Sequence, residues 1–468
     1  MAVENAVTDH TVELTLASTG AMIDVWDEYI ITQSMLSAGS PWTFTLWRSA
    51  TRTATWEVLR RAVKCMDSVV VKIDGAVQLN GRIESIETSA DGHGEARMTI
   101  AGRDLAGPAL DWDADPTANI AGLTLEAALQ RVFASVGLPV KITTADAARE
   151  VSTKRRGGAG VTATEAAASS APRGSLPASV ILALRQAAAL PSLYEAGRAP
   201  VVGVDATADI TALQPRRAAA RARAKRIKDI IIPAAHPRPG ERVWGFAESI
   251  VSRIGALMWT APDPTRGMTI VVDTPANDDP PTYAFARVER DGVTDPRSNI
   301  LSLTEKIDTR PAPTFVKVYT GSERGDKVSA RQVATTTNTA LTTARITRGF
   351  VVASPPPQPR HMRSTRAKTI ARAAKEGERV VLDAMRDFRT VRLTVRGHGQ
   401  VVNGVPTLYG INTVARVYDS VCTDAQGNAL DEAMLVTQVT FRRSRAAGTI
   451  TELVLVPLGA LKMEPEGV

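Results

Sequence analysis

Residues 69–104 carry the pattern that most restricts the fold of this chain. Apolar and polar residues alternate in three short runs, which are separated by the turn segments 74–75 and 91–94. Asp74-Gly75 supplies the positive φ angles that a tight hairpin turn requires. Strict alternation places one face of each strand in a core and the other against solvent or a partner. The stretch therefore predicts a meander of three strands.

Both ends of the chain show the same strand-like alternation. Residues 1–106 contain further alternating runs and a short predicted helix at 55–66, and the segment from residue 390 onward is again β-type. Several short strands with Gly and Asp turns are typical of a small barrel or sandwich. We therefore expect a β-rich module at each end, with helices and a compact α/β unit (229–275) between them.

Residues 123–137 carry a clear helical pattern. Thr124 is a candidate N-cap, and Gly137 and Pro139 would end the helix. The residues that share one face at 3.6-residue periodicity are Leu125, Ala128, Leu129, Val132 and Phe133. A second helix is predicted at 365–388, after a rigid proline-rich spacer at 354–360.

Residues 143–228 differ from the rest of the chain. They are small and polar, with Gly and Pro, which indicates a loop or insertion with little core of its own. Near its end, Arg217, Arg221 and Lys225 recur at intervals of four and would line one helical face. This stripe at 216–228 fits a phosphate contact, a solvated helix face or a protein-docking helix, and it has no aromatic residue to stack on bases.

Bulk composition limits the possible classes of protein. The chain has 468 residues, enough for about three domains, and its net charge of +7 is mild for that length. Cys65 and Cys422 lie too far apart for a metal motif and indicate free thiols in a reducing compartment. The N-terminus lacks a secretory signal, and no apolar run reaches the length of a membrane span. We expect a soluble, intracellularly made protein without a membrane anchor.

The acidic segment 111–115 is the nearest approach to a metal motif. Asp111, Asp113 and Asp115 alternate like the start of a calcium loop. Such a loop needs Gly at its sixth position and Glu at its twelfth, where this chain has Pro116 and Gly122. We interpret the segment as an acidic surface turn.

No catalytic motif is present in the sequence. There is no G-x-S-x-G elbow, no Walker loop and no G-x-G-x-x-G after a strand. The histidines form no helical metal pair, and the two in Gly-His-Gly segments are interpreted as turn residues. They are His10, His93, His236, His361 and His398. A triad assembled in space, or a carboxylate pair among the 49 acidic residues, stays open. We assign no catalytic, cofactor-binding or metal-binding residue.

An ordered series of segments resembles the baseplate hub proteins of contractile-tailed, Mu-like bacteriophages, which are related to contractile injection system hubs. The series begins with "VKIDGAVQLNGRIESIE", "MTIAGRDLAGPALD" and "LTLEAALQRVFASVGLPVKI". It continues with "HPRPGERVWGFAESIVSRIGALMWTAPDPTRGMTIVV" and "SNILSLTEKIDTRPAPTFVKVYTG". It ends with "LTVRGHGQVVNGVPTLYGINTVARVYDSV" and "EAMLVTQVTFRRSRAAGTITELVLVPLGAL". The clear departure is 143–228, which is much longer than the family needs.

The resemblance implies an α+β fold with two tail-tube-like β-barrel domains, a small α/β domain and a helical or loop insertion. The domains expected are a first tube-like barrel (1–106), a helical connector with the insertion (107–228), a small α/β domain (229–310) and a second tube-like barrel (311–468). The second barrel would combine 311–350 with 390–460, and the helix 365–388 would be inserted in it.

The resemblance also implies a structural role without catalysis or cofactors. Three chains would form a ring that adapts the hexameric tail tube to the trimeric central spike and lines the DNA exit channel. Expected partners are further copies of the chain, the tube protein, the spike protein and baseplate wedge proteins, with the tape measure protein as a further candidate. DNA would pass only transiently, and the protein would reside in the virion tail baseplate after assembly in the host cytoplasm.

Two alternatives stay open at this stage. One is a tail-associated cell-wall hydrolase whose residues are scattered among the carboxylates. The other is a nucleic-acid-binding protein that uses the basic stripe at 216–228.

Overall fold

The structure, a computed structural model, describes thirteen ranges of the chain. They are 6–7, 10–48, 53–90, 96–137, 142–143, 230–232, 236–263, 267–290, 293–295, 298–320, 333–364, 369–402 and 405–461. The described part is mostly β, with 48% strand and 17% helix. This agrees with the predicted α+β class.

Residues 6–104 contain the predicted meander. The elements are β1 (Ala6–Val7), β2 (Val12–Leu16), β3 (Met22–Ile23), β4 (Glu28–Ser34), β5 (Pro41–Trp47), α1 (Thr53–Ala62), β6 (Ser68–Ile73), β7 (Ala76–Ala90) and β8 (Ala96–Asp104). Strands β6, β7 and β8 pair antiparallel in sequence order, so the meander is confirmed. Asp74 and Gly75 have φ angles of 50° and 74°, as the predicted turn requires. The second predicted turn, 91–94, lies outside the described residues.

The described residues between 105 and 273 form a second core. The elements are α2 (Gly107–Asp111), α3 (Leu125–Ala134), β9 (Ile142–Thr143), α4 (Val243–Arg253), β10 (Leu257–Asp263) and β11 (Gly267–Asp273). All five apolar residues predicted to share a face of α3 are buried, and the Thr124 hydroxyl accepts a hydrogen bond from the amide of Ala127. The predicted helix and its N-cap are therefore confirmed. Helix α4 packs on α2 and α3 because its apolar face, including Trp244 and Phe246, is buried there.

The described residues between 283 and 388 continue with two groups of strands, which belong to three different sheets because the two-residue strands at 289–290 and 293–294 pair only with each other. The first group is β12 (Tyr283–Arg287), β13 (Glu289–Arg290), β14 (Val293–Thr294) and β15 (Ile300–Ile307). The second group is β16 (Phe315–Tyr319), β17 (Val333–Thr337), a 3-10 helix (Thr339–Thr342), α5 (Ala344–Thr347), β18 (Pro359–Arg363) and α6 (Ile370–Met385). Strands β16, β17 and β18 form their own sheet, and α6 covers β16 and β17 around a separate core.

The C-terminal strands complete the largest sheet. They are β19 (Arg389–Arg396), β20 (Gly399–Val402), β21 (Val405–Leu408), β22 (Thr413–Thr423), β23 (Ala429–Ser444) and β24 (Gly448–Pro457). The main path of this 13-stranded sheet is β15-β19-β24-β23-β4-β5-β8-β7-β6-β2-β3, and β22 and β12 extend from β23. One hydrophobic core lies under strands from both ends of the chain.

The arrangement of the β-rich ends differs from the predicted pair of barrels. Within the described ranges the strand pairing closes no barrel. Instead, β4 pairs with β23 through the register Thr32↔Thr440, which joins the two ends in one open sheet. The cause is the length of β23: its first half pairs with β22, and its second half remains available for β4. Alternation predicts strands but carries no information on such a distant partner.

The second barrel was expected to combine 311–350 with 390–460, and the described strands of 311–350 lie in a different sheet from the C-terminal strands. Strand β16 pairs with β17 and β18, and no described residue connects it to the large sheet by strand pairing. The reason lies in α6, whose apolar residues Ala373, Val380 and Val381 need a sheet to cover them. Val316 and Val318 on β16 supply that surface.

Candidate assembly surface

The large sheet has an apolar face and a polar face. Along β5, Trp42, Phe44 and Leu46 are buried in the core, whereas Thr43 and Thr45 point to the other side. Directly paired residues share a face, so strand register extends this polar face from β15 to β8. Its threonines are Thr32, Thr43, Thr45, Thr99, Thr304, Thr390, Thr394 and Thr440. Two cross-strand pairs are within hydrogen-bonding distance, Thr45–Thr99 at 3.3 Å and Thr32–Thr440 at 3.2 Å.

The charges on the polar face have mixed signs. Arg442 pairs with Glu452 at 3.2 Å, and Arg97 approaches Glu87 to 3.8 Å. Arg392 and Arg396 on β19 are exposed on the same side. Because neighbouring charges partly neutralise one another, this face is hydrophilic without a strong field of one sign. Such a face suits water, and it lacks the concentrated positive charge that would hold a polyanion in place.

Both ends of the run from β15 to β7 have an unpaired backbone edge. Strand β15 pairs with β19 on one side, and no described strand pairs with its other side. Strand β6 pairs with β7 only as far as Arg82. Residues 84–90 of β7 therefore pair with β8 alone in the described part of the chain. An unpaired edge presents amide and carbonyl groups that can pair with another chain. These two edges are candidate subunit contacts.

The run between the two edges contains eight strands in antiparallel order. It divides into β15-β19-β24-β23 from the second half of the chain and β4-β5-β8-β7 from the first half. Adjacent strands alternate in direction along the whole run. An even number of alternating strands leaves the two edges antiparallel to each other. Rotated copies can therefore continue the same pattern from one chain to the next.

A buried polar network lies at the junction of the two halves. The ring of His398 is stacked on His10, with centroids 4.9 Å apart, and His398 is fully buried. His398 Nδ1 lies 3.0 Å from Thr451 Oγ1, and Nε2 lies 2.8 Å from the Tyr29 hydroxyl. Thr451 donates its own hydrogen to the Gly397 carbonyl, so Nδ1 of His398 must donate and Nε2 must accept.

The same reasoning fixes the tautomer of His10. The backbone amide of His398 donates to His10 Nε2 at 2.9 Å, so that nitrogen carries no hydrogen in this arrangement. His10 Nδ1 then donates to Asp74 Oδ2 at 2.6 Å. Burial, together with the neighbouring His10, lowers the pKa of His398 to about 3, so its imidazole is neutral near pH 7. The network stabilises the contact between the meander turn and the C-terminal strands.

A second buried network connects the large sheet to the β16–β18 unit, which comprises β16, β17, β18, α5 and α6. Glu305 on β15 accepts hydrogen bonds from Arg389 at 2.7 Å and from Arg348 at 2.6 Å. Arg389, which is fully buried, also donates to Glu432 on β23 at 2.9 Å. Arg348 follows α5 and donates to the carbonyl of Cys422. Each buried charge thus has an opposite partner, which burial requires.

The acidic segment 111–115 is a surface feature, as predicted. Asp111 pairs with Arg103, whose guanidinium lowers the pKa of that carboxyl group. Asp113 pairs with Arg242 at 2.8 Å. Asp115 accepts hydrogen bonds from Thr117, and these lower its pKa. Each carboxylate of the segment has its own partner, and the three do not converge on one point.

The histidines and cysteines noted in the sequence form no metal-like group in the described ranges, although His10 and His398 stack on each other. His398 lies in the bend between β19 and β20, so a turn position is confirmed, but it is buried and not solvated. His236 and His361 are exposed, and His93 lies outside the described residues. Cys65 and Cys422 are free thiols. Across the described ranges, no three His, Cys, Asp or Glu side chains are grouped as metal ligands would be.

Other predictions concern the middle of the chain. The stripe Arg217, Arg221 and Lys225, and nearly all of 143–228, lie outside the described residues. No helix in the described ranges is long and apolar enough to cross a membrane.

Comparison with known proteins supports the resemblance found in the sequence. Residues 13–104 match the family described as Mu phage baseplate assembly protein GpP-like, N-terminal. The predicted resemblance to Mu-like baseplate proteins is thereby confirmed for the segment that contains the meander. No curated protein sequence matches the chain.

Two solved structures share the fold over nearly the whole chain. A tail protein from Neisseria meningitidis MC58 has a TM-score of 0.62 at 18% identity, and the match covers 97% of this chain and 99% of that chain. The 43 kDa tail protein of prophage MuSo2 from Shewanella oneidensis has a TM-score of 0.59 at 15% identity, with 97% and 100% covered. The Mu-like tail protein fold thus extends beyond the GpP-like segment.

Sequence reasoning missed both buried networks. Arg389 and Glu305 are separated by 84 positions, and His10 and His398 by 388. No local pattern connects residues so far apart. The only available signal was charge inside alternating runs, such as Glu305 in "ILSLTEKI" and Arg389 at the start of "RTVRLTVR". A charged residue at an inward position of a strand indicates a buried partner.

Proposed function

We propose that this protein is a structural baseplate hub of a contractile tail, in which three chains form a ring around the channel for DNA. The observation that carries the proposal is the eight-stranded antiparallel run with one polar face and two unpaired edges. Its matched GpP-like segment supplies four of these strands, β4, β5, β7 and β8.

The symmetry of the run supports an adaptor role. Each chain contributes two four-stranded halves, so a ring of three chains presents six similar units to the hexameric tube. The same ring presents one copy of the whole chain to each subunit of the trimeric spike. Pairing of β15 of one chain with β7 of the next would close 24 strands into a ring. Barrels of about 16–18 strands already enclose an aqueous channel, so this ring would leave an open lumen. The two tube-like units of the proposal are these halves, completed by neighbouring subunits.

The chemistry of the polar face supports its placement toward the lumen. Threonine hydroxyls and paired charges interact well with water, whereas the opposite face carries the hydrophobic core. DNA that must leave the particle quickly needs a hydrated surface that does not retain phosphates. The partners of the ring are then the tube protein, the central spike and wedge proteins, in the tail baseplate of a virion assembled in the host cytoplasm. The proposed role is structural and not enzymatic.

Zero-length carbodiimide cross-linking tests the ring contact. Lys306 on β15 and Glu87 on β7 lie on the polar face at opposite edges of the run. Within one chain they are separated by seven strand spacings, about 34 Å along the sheet. A bond between the side chains of Lys306 and Glu87, or the nearby Glu84, can form only between chains.

The expected product is a cross-linked trimer whose peptides join β15 to β7. Lys306→Arg keeps the charge but removes the reactive amine, so it should abolish this peptide and leave the ring mass unchanged. A trimer cross-linked only through other surfaces would contradict the proposed edge pairing.

A further inference from the structure

The sheet of the β16–β18 unit has one basic surface that no other element of the described ranges covers. Helix α6 packs on one face of β16 and β17, and the other face carries nine side chains set by the strand register. They are Phe315, Lys317, Tyr319, Val333, Thr335, Thr337, Pro359, His361 and Arg363. None of the nine is acidic, and Lys317 and Arg363 are basic residues. We call these residues the β16–β18 face.

Strand β18 is exposed in a way unusual for a strand. Of its five residues, four are exposed and only Met362 is partly buried. It pairs in parallel with β16, and no described strand pairs with its outer edge. Edge strands attract other chains unless they are short, charged or interrupted by proline. Strand β18 is short, begins with Pro359 and contains Arg360 and Arg363. These features disfavour pairing with a second copy of β18, but they allow pairing with a strand of opposite charge.

The aromatic residues of the β16–β18 face are already held in place. The Tyr319 hydroxyl lies 3.0 Å from His361 Nδ1, and the two rings are stacked with centroids 6.0 Å apart. The Lys317 ammonium lies 5.6 Å from the centroid of the Phe315 ring. A ligand would therefore meet an ordered surface, and little side-chain entropy would be lost on binding.

We propose that the outer edge of β18 binds an extended acidic segment of a partner polypeptide, which adds a strand to this sheet. The backbone of β18 would supply main-chain hydrogen bonds, as in other cases of strand addition. Arg360 and Arg363 would pair with carboxylates of the added strand. This interaction is separate from the proposed ring, because the unit has its own core and is not part of the run from β15 to β7.

A polypeptide fits the observations better than a nucleic acid. Only another polypeptide strand can use an unpaired strand edge through regular amide-to-carbonyl hydrogen bonds. A single-stranded nucleic acid would need a longer basic groove with open rings for stacking. Here the Tyr319 and His361 rings already stack on each other, and Lys317 lies over Phe315.

Fluorescence anisotropy on the full chain tests the proposal with defined probes. The probe is a labelled eight-residue peptide of alternating glutamate and valine; the comparison probes are its lysine–valine counterpart and an eight-nucleotide oligothymidine. We expect the acidic peptide to bind at least tenfold more tightly than either comparison probe. Equal binding of the lysine peptide, tighter binding of oligothymidine, or no acidic-peptide binding at 100 μM probe would overturn the proposal.

Variants and modified peptides separate strand addition from simple charge attraction. The double variant Arg360→Glu, Arg363→Glu should weaken acidic-peptide binding at least tenfold. The matched control Arg372→Glu, Lys375→Glu reverses two exposed charges on α6 and should leave binding unchanged. Two further peptide series, N-methylated at odd or at even positions, lack alternate backbone N–H donors. They are tested on the unmodified chain, so this comparison does not depend on the folding of a variant. One of the two series should lose binding; equal binding of both would refute strand addition.

Discussion

At the scale of single residues, the stability of this protein depends on polar groups buried between distant parts of the chain. His398 is the clearest case, because its imidazole is neutral and hydrogen-bonded on both nitrogens. Burial lowers its pKa to about 3 in the folded state, whereas an unfolded histidine titrates near ~6.5. The unfolded chain therefore binds a proton more readily than the folded chain.

This difference gives the first prediction, on pH. The contribution of His398 is fully present above about pH 6.5 and is lost as the pH falls toward the folded pKa. At pH 4.5 the free energy of unfolding should have dropped by about 3 kcal/mol from this group. His398→Gln removes the titration and should flatten the curve between pH 6.5 and 4.5. Exposed His236→Gln is the control, measured by urea unfolding; equal slopes in both variants would contradict the prediction.

The second prediction concerns the buried arginine of the other network. Arg389→Met leaves Glu305 with one of its two arginine partners and Glu432 without the pair to Arg389. Loss of one partner from a buried ion pair costs about 3–5 kcal/mol of stability. Arg416→Met removes an exposed pair with Asp431 and should cost about 1 kcal/mol or less. Chemical denaturation measures the free energy of unfolding of both variants. Similar losses of this free energy would contradict the prediction that burial determines the cost of losing the ion pair.

At the scale of elements, close backbone contacts determine where residues without side chains are needed. A Cβ at Gly102 of β8 would lie 1.9 Å from the carbonyl oxygen of Arg82 on β7, next to the bulge at Ile83 and Ser85. In contrast, a Cβ at Gly245 in α4 would meet no atom within 4 Å.

The third prediction uses this contrast. Gly102→Ala should force β7 away from β8 and lower the melting temperature by several degrees. Gly245→Ala should raise stability by about 1 kcal/mol, since alanine favours a helix over glycine. Thermal unfolding followed by circular dichroism checks both. A melting temperature that Gly102→Ala leaves unchanged would mean that β7 and β8 tolerate a wider spacing.

Local elements were predictable from the sequence, and their long-range partners were not. The Asp74-Gly75 turn and the α3 helix follow from turn chemistry and 3.6-residue periodicity, which act over a few residues. The pairing of β4 with β23 depends on the length of β23 and on competition among strands. The candidate surface therefore became visible only in the structure, although alternation had already predicted the strands that form it.

At the scale of the whole molecule, the open sheet is the feature that calls for other chains. A single chain exposes the outer edge of β15 and the side of residues 84–90 of β7 that faces away from β8, and no strand in the described ranges pairs with either edge. Obligate interfaces bury several thousand Å² and are more hydrophobic than transient ones. The functional unit that we propose is therefore a closed ring of three chains.

The mass of the purified chain in solution tests that claim most directly. Light scattering coupled to size exclusion should give about 150 kDa, the mass of three chains of 49.9 kDa. This mass should persist at micromolar concentration and increase when the cognate central spike protein is added. A monodisperse 49.9 kDa species that does not bind the spike protein would contradict both the ring and the adaptor role.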